Sequence, residues 1–144
     1  MIAVDTNVIL RYLLEDHPGQ FRRAKRIILG NPEVLLTDVV LAETVWTLEG
    51  RRYGLDRHSI AAAVRSLFDE PSICFEHRWA VWRAVQAYLE FTASPGGSRK
   101  REVGFADALI AFKAAGVAAN RGEVLSAVYT FDKAAQQLPL AQSP

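Results

Sequence analysis

The first ten residues, Met1-Ile2-Ala3-Val4-Asp5-Thr6-Asn7-Val8-Ile9-Leu10, hold two apolar runs separated by one polar triplet. Ile2-Ala3-Val4 is uniformly apolar rather than alternating, the pattern of a short strand buried on both faces. From Val8 onward the apolar residues fit a helix. A carboxylate at the junction is costly to desolvate unless it finds a partner. Asp5 therefore either caps the following helix, as Asp commonly does, or serves a chemical purpose.

The same alternation continues outward from this stretch. Residues 7–15 read as a helix that ends before His17-Pro18-Gly19, and residues 20–29 as a second that ends at Gly30-Asn31-Pro32. Val34-Leu35-Leu36 is a second strand. Thr37 or Asp38 can cap the next helix, which runs to about Leu48, and Asp56 opens another that ends at Pro71. Ile73-Cys74-Phe75 is a third strand, followed by a helix over residues 77–91. Residues 92–103, TASPGGSRKREV, form a small, basic, Pro/Gly-rich loop. An alanine-rich helix over 105–119, a strand at Ala127-Val128-Tyr129 and a short edge strand at Leu138-Pro139-Leu140 complete the pattern.

Strands alternating with helices predict an α/β layer fold with a mostly parallel sheet of four to five strands and helices on both faces. The 144 residues suit a single domain over 1–140, with a frayed tail at 141–144. The lone Cys74 precludes an internal disulfide and fits a reducing cytoplasm. No signal pattern opens the chain, and no apolar run approaches the ~20 residues of a membrane helix. With 17 Lys and Arg against 16 Asp and Glu, bulk charge does not announce nucleic-acid binding. Any such binding must come from local patches.

Four acids stand in core-like sequence. Asp5 and Asp132 each follow an apolar strand, where sites gather in parallel sheets. Glu43, in VVLAETVW, has Val39, Val40, Trp46 and Thr47 as helical neighbours, and Asp107, in GFADALIAF, lies near a helix start. Taken singly, Asp5 and Asp132 suit caps or turns and Asp107 suits a helix dipole. Glu43 has no such local explanation. Together they suggest carboxylates sharing one pocket, where like charges raise one another's proton affinity unless a hard cation such as Mg²⁺ or Mn²⁺ binds.

The segments AVDTNVILRYLLEDHP, VVLAETVW, FADALIA and YTFDKA, in this order, resemble PIN-domain ribonucleases, most closely VapC-type toxins of bacterial toxin–antitoxin pairs. The resemblance runs from Ile2 to about Pro139 and implies a three-layer α/β/α, PIN-like fold. It also implies that Asp5, Glu43, Asp107 and Asp132 form an acidic metal site, with Asn7 and Thr130 as polar support and Thr6 shaping the turn. Gly104 departs from the pattern: many such chains carry another acid just before the FADAL stretch.

The expected reaction is Mg²⁺- or Mn²⁺-dependent hydrolysis of RNA. Expected partners are RNA, a cognate antitoxin and a second copy of the chain. Phosphate contacts are expected from Arg11 and from Arg99, Lys100 and Arg101, whose loop leads to the Asp107 helix; Arg22, Arg23, Lys25 and Arg26 read rather as a solvated helix face. His17, His58 and His77 read as surface or packing residues. An aspartyl phosphatase is disfavoured by Asn7, which stands where its second acid belongs. A receiver domain lacks its acceptor, and a dinucleotide binder lacks G-x-G-x-x-G. The main rival is the same fold acting as a catalytically weak binding module, with Trp46, Trp79 and Trp82 as anchors if they are not core.

Overall fold

A computed structural model of the chain describes residues 1–92 and 102–144. They divide into two compact units, Met1–Arg78 and Trp79–Pro144. The expected phosphate contacts Arg99, Lys100 and Arg101 lie outside the described residues.

The first unit is built on three parallel strands in the order β1 (Ile2–Ala3), β2 (Val34–Leu36) and β3 (Ile73–Phe75). Ile2 pairs with Val34, and Val34 with Ile73. Parallel neighbours cannot be joined by a tight turn. Each connection here is instead a pair of helices: α1 (Thr6–Leu14) and α2 (Pro18–Leu29) before β2, then α3 (Asp38–Glu49) and α4 (Arg57–Ser66) before β3. The core gathers Ile9, Ile28, Val34, Leu36, Leu41, Leu48, Ile60 and Val64, all essentially inaccessible to solvent.

Local chemistry sets these boundaries. Asp5 is extended and its Oδ1 accepts the Val8 amide at 3.0 Å, so it caps α1. Glu15 closes α1 in the left-handed region at φ 53°. His17 caps α2 through Nδ1, which accepts the Gln20 amide, while Pro18 occupies the first turn, where its missing N–H costs nothing. Of the two residues expected to cap α3, Thr37 does so, accepting the Val40 amide. The Asp38 amide donates instead to Glu76 Oε2 at 2.9 Å, so an acid just beyond β3 also serves the α3 terminus. Asp56 caps α4 through Ser59, which holds its carboxyl below the usual range.

The second unit holds nearly all of α5 (Arg78–Glu90), α6 (Phe105–Asn120), β4 (Val128–Tyr129) and β5 (Ala141–Gln142), with a short 3₁₀ helix at Ala135–Gln137. Tyr88 packs edge-on against Phe105, and Trp79 against Phe112. β4 and β5 are parallel, with Val128 opposite Ala141.

The chain is thus helix-rich with parallel strands, as the sequence pattern predicts. The last strand is displaced. It was expected at residues 138–140 but forms at Ala141–Gln142, within the segment expected to fray. Pro139 has no amide to give a ladder, and Leu140 adopts φ 65°, outside strand geometry. The Thr130 amide reaches Gln142 O at 2.9 Å and secures the tail residues. The tryptophans, left open between core and surface anchors, are exposed: Trp46, Trp79 and Trp82 at 68%, 52% and 40%.

One side-chain tie joins α1 to the segment before β3. Tyr12 donates to Glu70 Oε1 at 2.5 Å. Burial and this carboxylate push the phenol up to about 12, so it stays protonated and donating across the neutral range. Tyr12→Phe should lower unfolding free energy by about 1–2 kcal/mol, as loss of a hydrogen bond to a charged acceptor does. Urea denaturation at pH 7 measures it, and an unchanged midpoint would mean the tie contributes nothing net.

Candidate active site

The parallel arrangement brings two of the sequence-predicted site residues to the carboxyl end of the first sheet. Asp5 lies two residues beyond the end of β1, after Val4, and Glu43 lies on α3, the helix that follows β2. Both are exposed. The link between them is Thr6, whose Oγ1 donates to Glu43 Oε2 at 2.6 Å. Thr6 therefore does more than shape a turn: it fixes the Glu43 carboxylate beside the residue next to Asp5. Thr47 donates its hydroxyl to the Glu43 carbonyl at 2.8 Å. Asn7 is exposed and lines the same cavity as Asp5.

In the second unit, Asp107 is in the first turn of α6 and Asp132 follows β4. Thr130 Oγ1 accepts the Asp132 amide at 3.1 Å, and Asp132 Oδ1 accepts the Ala134 amide at 2.7 Å. These bonds form a tight polar turn that orients the Asp132 carboxylate. The Thr130 carbonyl is held in turn by the Gln136 side-chain amide. Asp107 is partly buried and, among the described residues, has no hydrogen bond to its carboxylate. Its carboxyl is held above the usual range, first by burial and then by the negative charge of Asp132.

Gly104 explains how Asp107 is accommodated. A Cβ at this position would stand 2.7 Å from Asp107 Oδ2. The departure from the expected pattern thus has a steric counterpart: any side chain at 104, an acid included, would force the Asp107 carboxylate to turn.

The four sequence-predicted acids accordingly occur as two local sets: Asp5 with Glu43 through Thr6, and Asp107 with Asp132. Among the described residues, no group of three or more His, Cys, Asp or Glu side chains is gathered to hold a metal ion. The donor chemistry nonetheless suits a hard divalent cation. All four groups are carboxylates, and Asp107 carries a like-charge interaction with Asp132 that a cation would relieve.

Arg11, an expected phosphate contact, is already engaged. Its Nη1 donates to both carboxylate oxygens of Asp16 at 2.6 Å and to Tyr53 Oη at 3.4 Å. This pairing holds the Asp16 carboxyl below its usual range. Arg11 still lines the cavity with Asp5, as does Arg23, which the sequence pattern assigned to a solvated face. Its spacing of three from Gln20 and four from Ile27 places all three on one side of α2, but the sequence gives no sign that α1 lies opposite.

The sequence matches the PIN domain family over residues 2–139, nearly the whole chain, and the protein belongs to that family. The three-layer α/β/α, PIN-like fold class expected from the sequence is that of the family. PIN domains are generally nucleases, hydrolases acting on nucleic acids, and generally use divalent metals. No curated protein and no solved structure matches the chain. No helix among the described residues is long and apolar enough to cross a membrane.

Because Asp107 binds its proton more tightly in the fold than the 3.8 of an unperturbed carboxyl, it favours the folded state at low pH. That contribution is lost as pH rises through the elevated value, leaving a penalty at neutral pH. In chelator at pH 7, Asp107→Asn should therefore raise the melting temperature by about 1–3 °C. The gain should vanish toward pH 3. A variant less stable than wild type at pH 7 would contradict the like-charge account.

Proposed function

We propose that this protein is a divalent-metal-dependent ribonuclease and the toxin of a VapC-type toxin–antitoxin pair. The observation that carries the reading is Asp107, a partly buried acid facing the charge of Asp132 with no compensating cation among the described residues. A purely structural role would favour Asn or an ion pair at such a position. Membership of a nuclease family supports the same conclusion.

In this reading Asp5, Glu43, Asp107 and Asp132 hold Mg²⁺ or Mn²⁺. The bound ion supplies Lewis acidity toward the phosphodiester and lowers the pKa of water at the site. The rest of the work falls to the protein. Thr6 keeps the Glu43 carboxylate from rotating away, and Thr130 orients Asp132 through its backbone amide. Both remove side-chain freedom from ligands before substrate arrives. Asn7, beside Asp5, offers an amide that can donate to a phosphate or to a carboxylate. Cations outside the acid set offset its repulsion of an RNA backbone; Arg99, Lys100 and Arg101 are proposed for this, with Arg11.

The antitoxin and a second copy of the chain belong to the same proposal. Val39 and Trp46 on α3 are exposed one turn to either side of Glu43, and Ile110 and Val117 share an exposed side of α6. Such surfaces suit protein partners. The proposed compartment is the cytoplasm.

Asp5→Asn discriminates the enzyme from a binding module. Asn can still accept the Val8 amide and cap α1, but it lacks the charge a cation requires. Purified wild type incubated with total RNA should give discrete fragments with Mg²⁺ or Mn²⁺ and none with chelator. The variant should lose more than the roughly 10–100-fold that removal of a ligand's outer partner costs. A folded, partner-free wild type that cleaves no RNA with either ion would sink the ribonuclease reading.

Thr6→Ala tests the positioning of Glu43. It should change unfolding free energy by only about 1 kcal/mol, yet weaken Mn²⁺ binding about 10–100-fold by calorimetry. Thr6→Ser, which restores the hydroxyl, should recover most of the affinity. Equal affinity in the Ala variant and wild type would remove Thr6 from the site.

A further inference from the structure

A cavity of about 370 Å³ opens beside Asp5 between α1 and α2. Helical spacing accounts for its lining. Asn7 and Arg11 are one turn apart on α1, and Gln20, Arg23 and Ile27 follow one another at intervals of three and four on α2. The two faces meet because α1 packs against α2. The result is a mixed surface: two guanidiniums, two side-chain amides, the Asp5 carboxylate and an apolar wall that includes Ala24 and Ile27.

These groups are not consumed by the fold. Arg23 is exposed, and its side chain makes no ion pair or hydrogen bond among the described residues. Arg11 spends Nη1 on Asp16 and Tyr53, which steadies the side chain. Its remaining donors have no partner among the described residues. The two guanidiniums outnumber the one lining carboxylate, Asp5, and since Arg11 is shared with Asp16, Arg23 is the freer cation for an anion; guanidiniums match the oxygens of phosphate. The amides of Asn7 and Gln20 each both donate and accept, as the edge of a base requires. The apolar wall offers a surface for the base ring. The volume lies at the small end of ligand pockets, of roughly 300–1,000 Å³, and suits one unit rather than a length of polymer.

We infer that the α1–α2 cavity is a subsite for a single unstacked nucleotide of the RNA, adjacent to the phosphodiester to be cut. Arg11 and Arg23 hold its phosphate, and Asn7 and Gln20 contact its base. The inference deepens the ribonuclease reading and rests on it for the identity of the polymer. It also specifies the form of the substrate. A base must leave its stack to enter such a cavity, so single-stranded RNA fits and a continuous duplex does not.

Two measurements test the subsite separately from the nuclease. The first uses the full-length ¹⁵N-labelled chain in chelator, titrated with uridine monophosphate, adenosine monophosphate and inorganic phosphate. Either nucleotide should shift the resonances of Asn7, Gln20 and Arg23, phosphate alone should shift them less, and Arg23→Ala should abolish the effect. No shift with either nucleotide, or equal shifts with phosphate alone, would overturn the proposal. So would equal shifts with an acidic peptide, which would give the cavity to a protein partner.

The second measurement is cleavage of a single-stranded oligonucleotide with Mg²⁺. Arg23→Ala should raise KM about tenfold, as loss of a charged hydrogen bond implies, with kcat within about twofold. The slope of log affinity against log salt should fall by about 0.7, one single-strand phosphate contact. A cleaving wild type whose KM and salt slope are untouched by Arg23→Ala would overturn the subsite and leave the nuclease standing. A wild type that binds nucleotides in the cavity but cleaves nothing would do the reverse.

Discussion

Parallel pairing of β1, β2 and β3 is the constraint on which the first unit depends. With Ile2 opposite Val34 and Val34 opposite Ile73, all three strands run the same way, and their carboxyl ends lie along one edge. Each return journey needs helices, which start where the strands stop. Asp5, Thr37 and Glu76 consequently meet at one end of the sheet, each satisfying the N-terminus of a helix. The Thr6–Glu43 bond follows from this arrangement: it connects the first turn of α1 to the second turn of α3, two helices that leave adjacent strands.

That end of the sheet concentrates carboxylates for two reasons, and only one is chemical. Helix N-termini attract acids because their amides lack partners and their dipoles point a positive end outward. Glu76 is fully accounted for in this way, since its Oε2 accepts the Asp38 amide. Glu43 is not, because it lies beyond the first turn of α3 and takes its hydrogen bond from another helix. The proposed chemical role is therefore best supported for acids whose placement exceeds what capping requires. Asp107 meets that criterion too: it lies in a first turn, yet it is left facing another acid.

The alternation of strands and helices was legible because each element carries its own period. β2 and β3 form over the residues expected, and β1 ends one residue early. The failures have a common cause: they depend on residues distant in sequence or on backbone states that periodicity does not encode. β5 at Ala141–Gln142 exists because Val128 and Tyr129 supply a partner and Leu140 turns through a positive φ. His17 as a cap was hidden because histidine is an uncommon one. The role of Arg23 needs α1 beside α2, information absent from a stretch that reads as four basic residues on a surface. Glu43 was recognised as anomalous from its apolar neighbours, while its partner Thr6, 37 positions away, was not.

Asp5 shows why capping and chemistry need not compete. Its Oδ1 accepts the Val8 amide, which fixes both side-chain torsions and orients the carboxylate. Its Oδ2 has no hydrogen bond among the described residues, and the residue is exposed. A carboxylate held by one oxygen presents the other with little entropy left to lose. The same division recurs at Asp132, where Oδ1 accepts the Ala134 amide. In both, the bond that makes the acid an ordinary structural residue is also what makes its second oxygen a prepared ligand. Capping alone would be served nearly as well by Asn or Ser, with the charge adding only a favourable interaction with the helix dipole. In the proposed metal site, it is the unbonded oxygen at each strand end that would meet the cation, while the bonded one holds it in place.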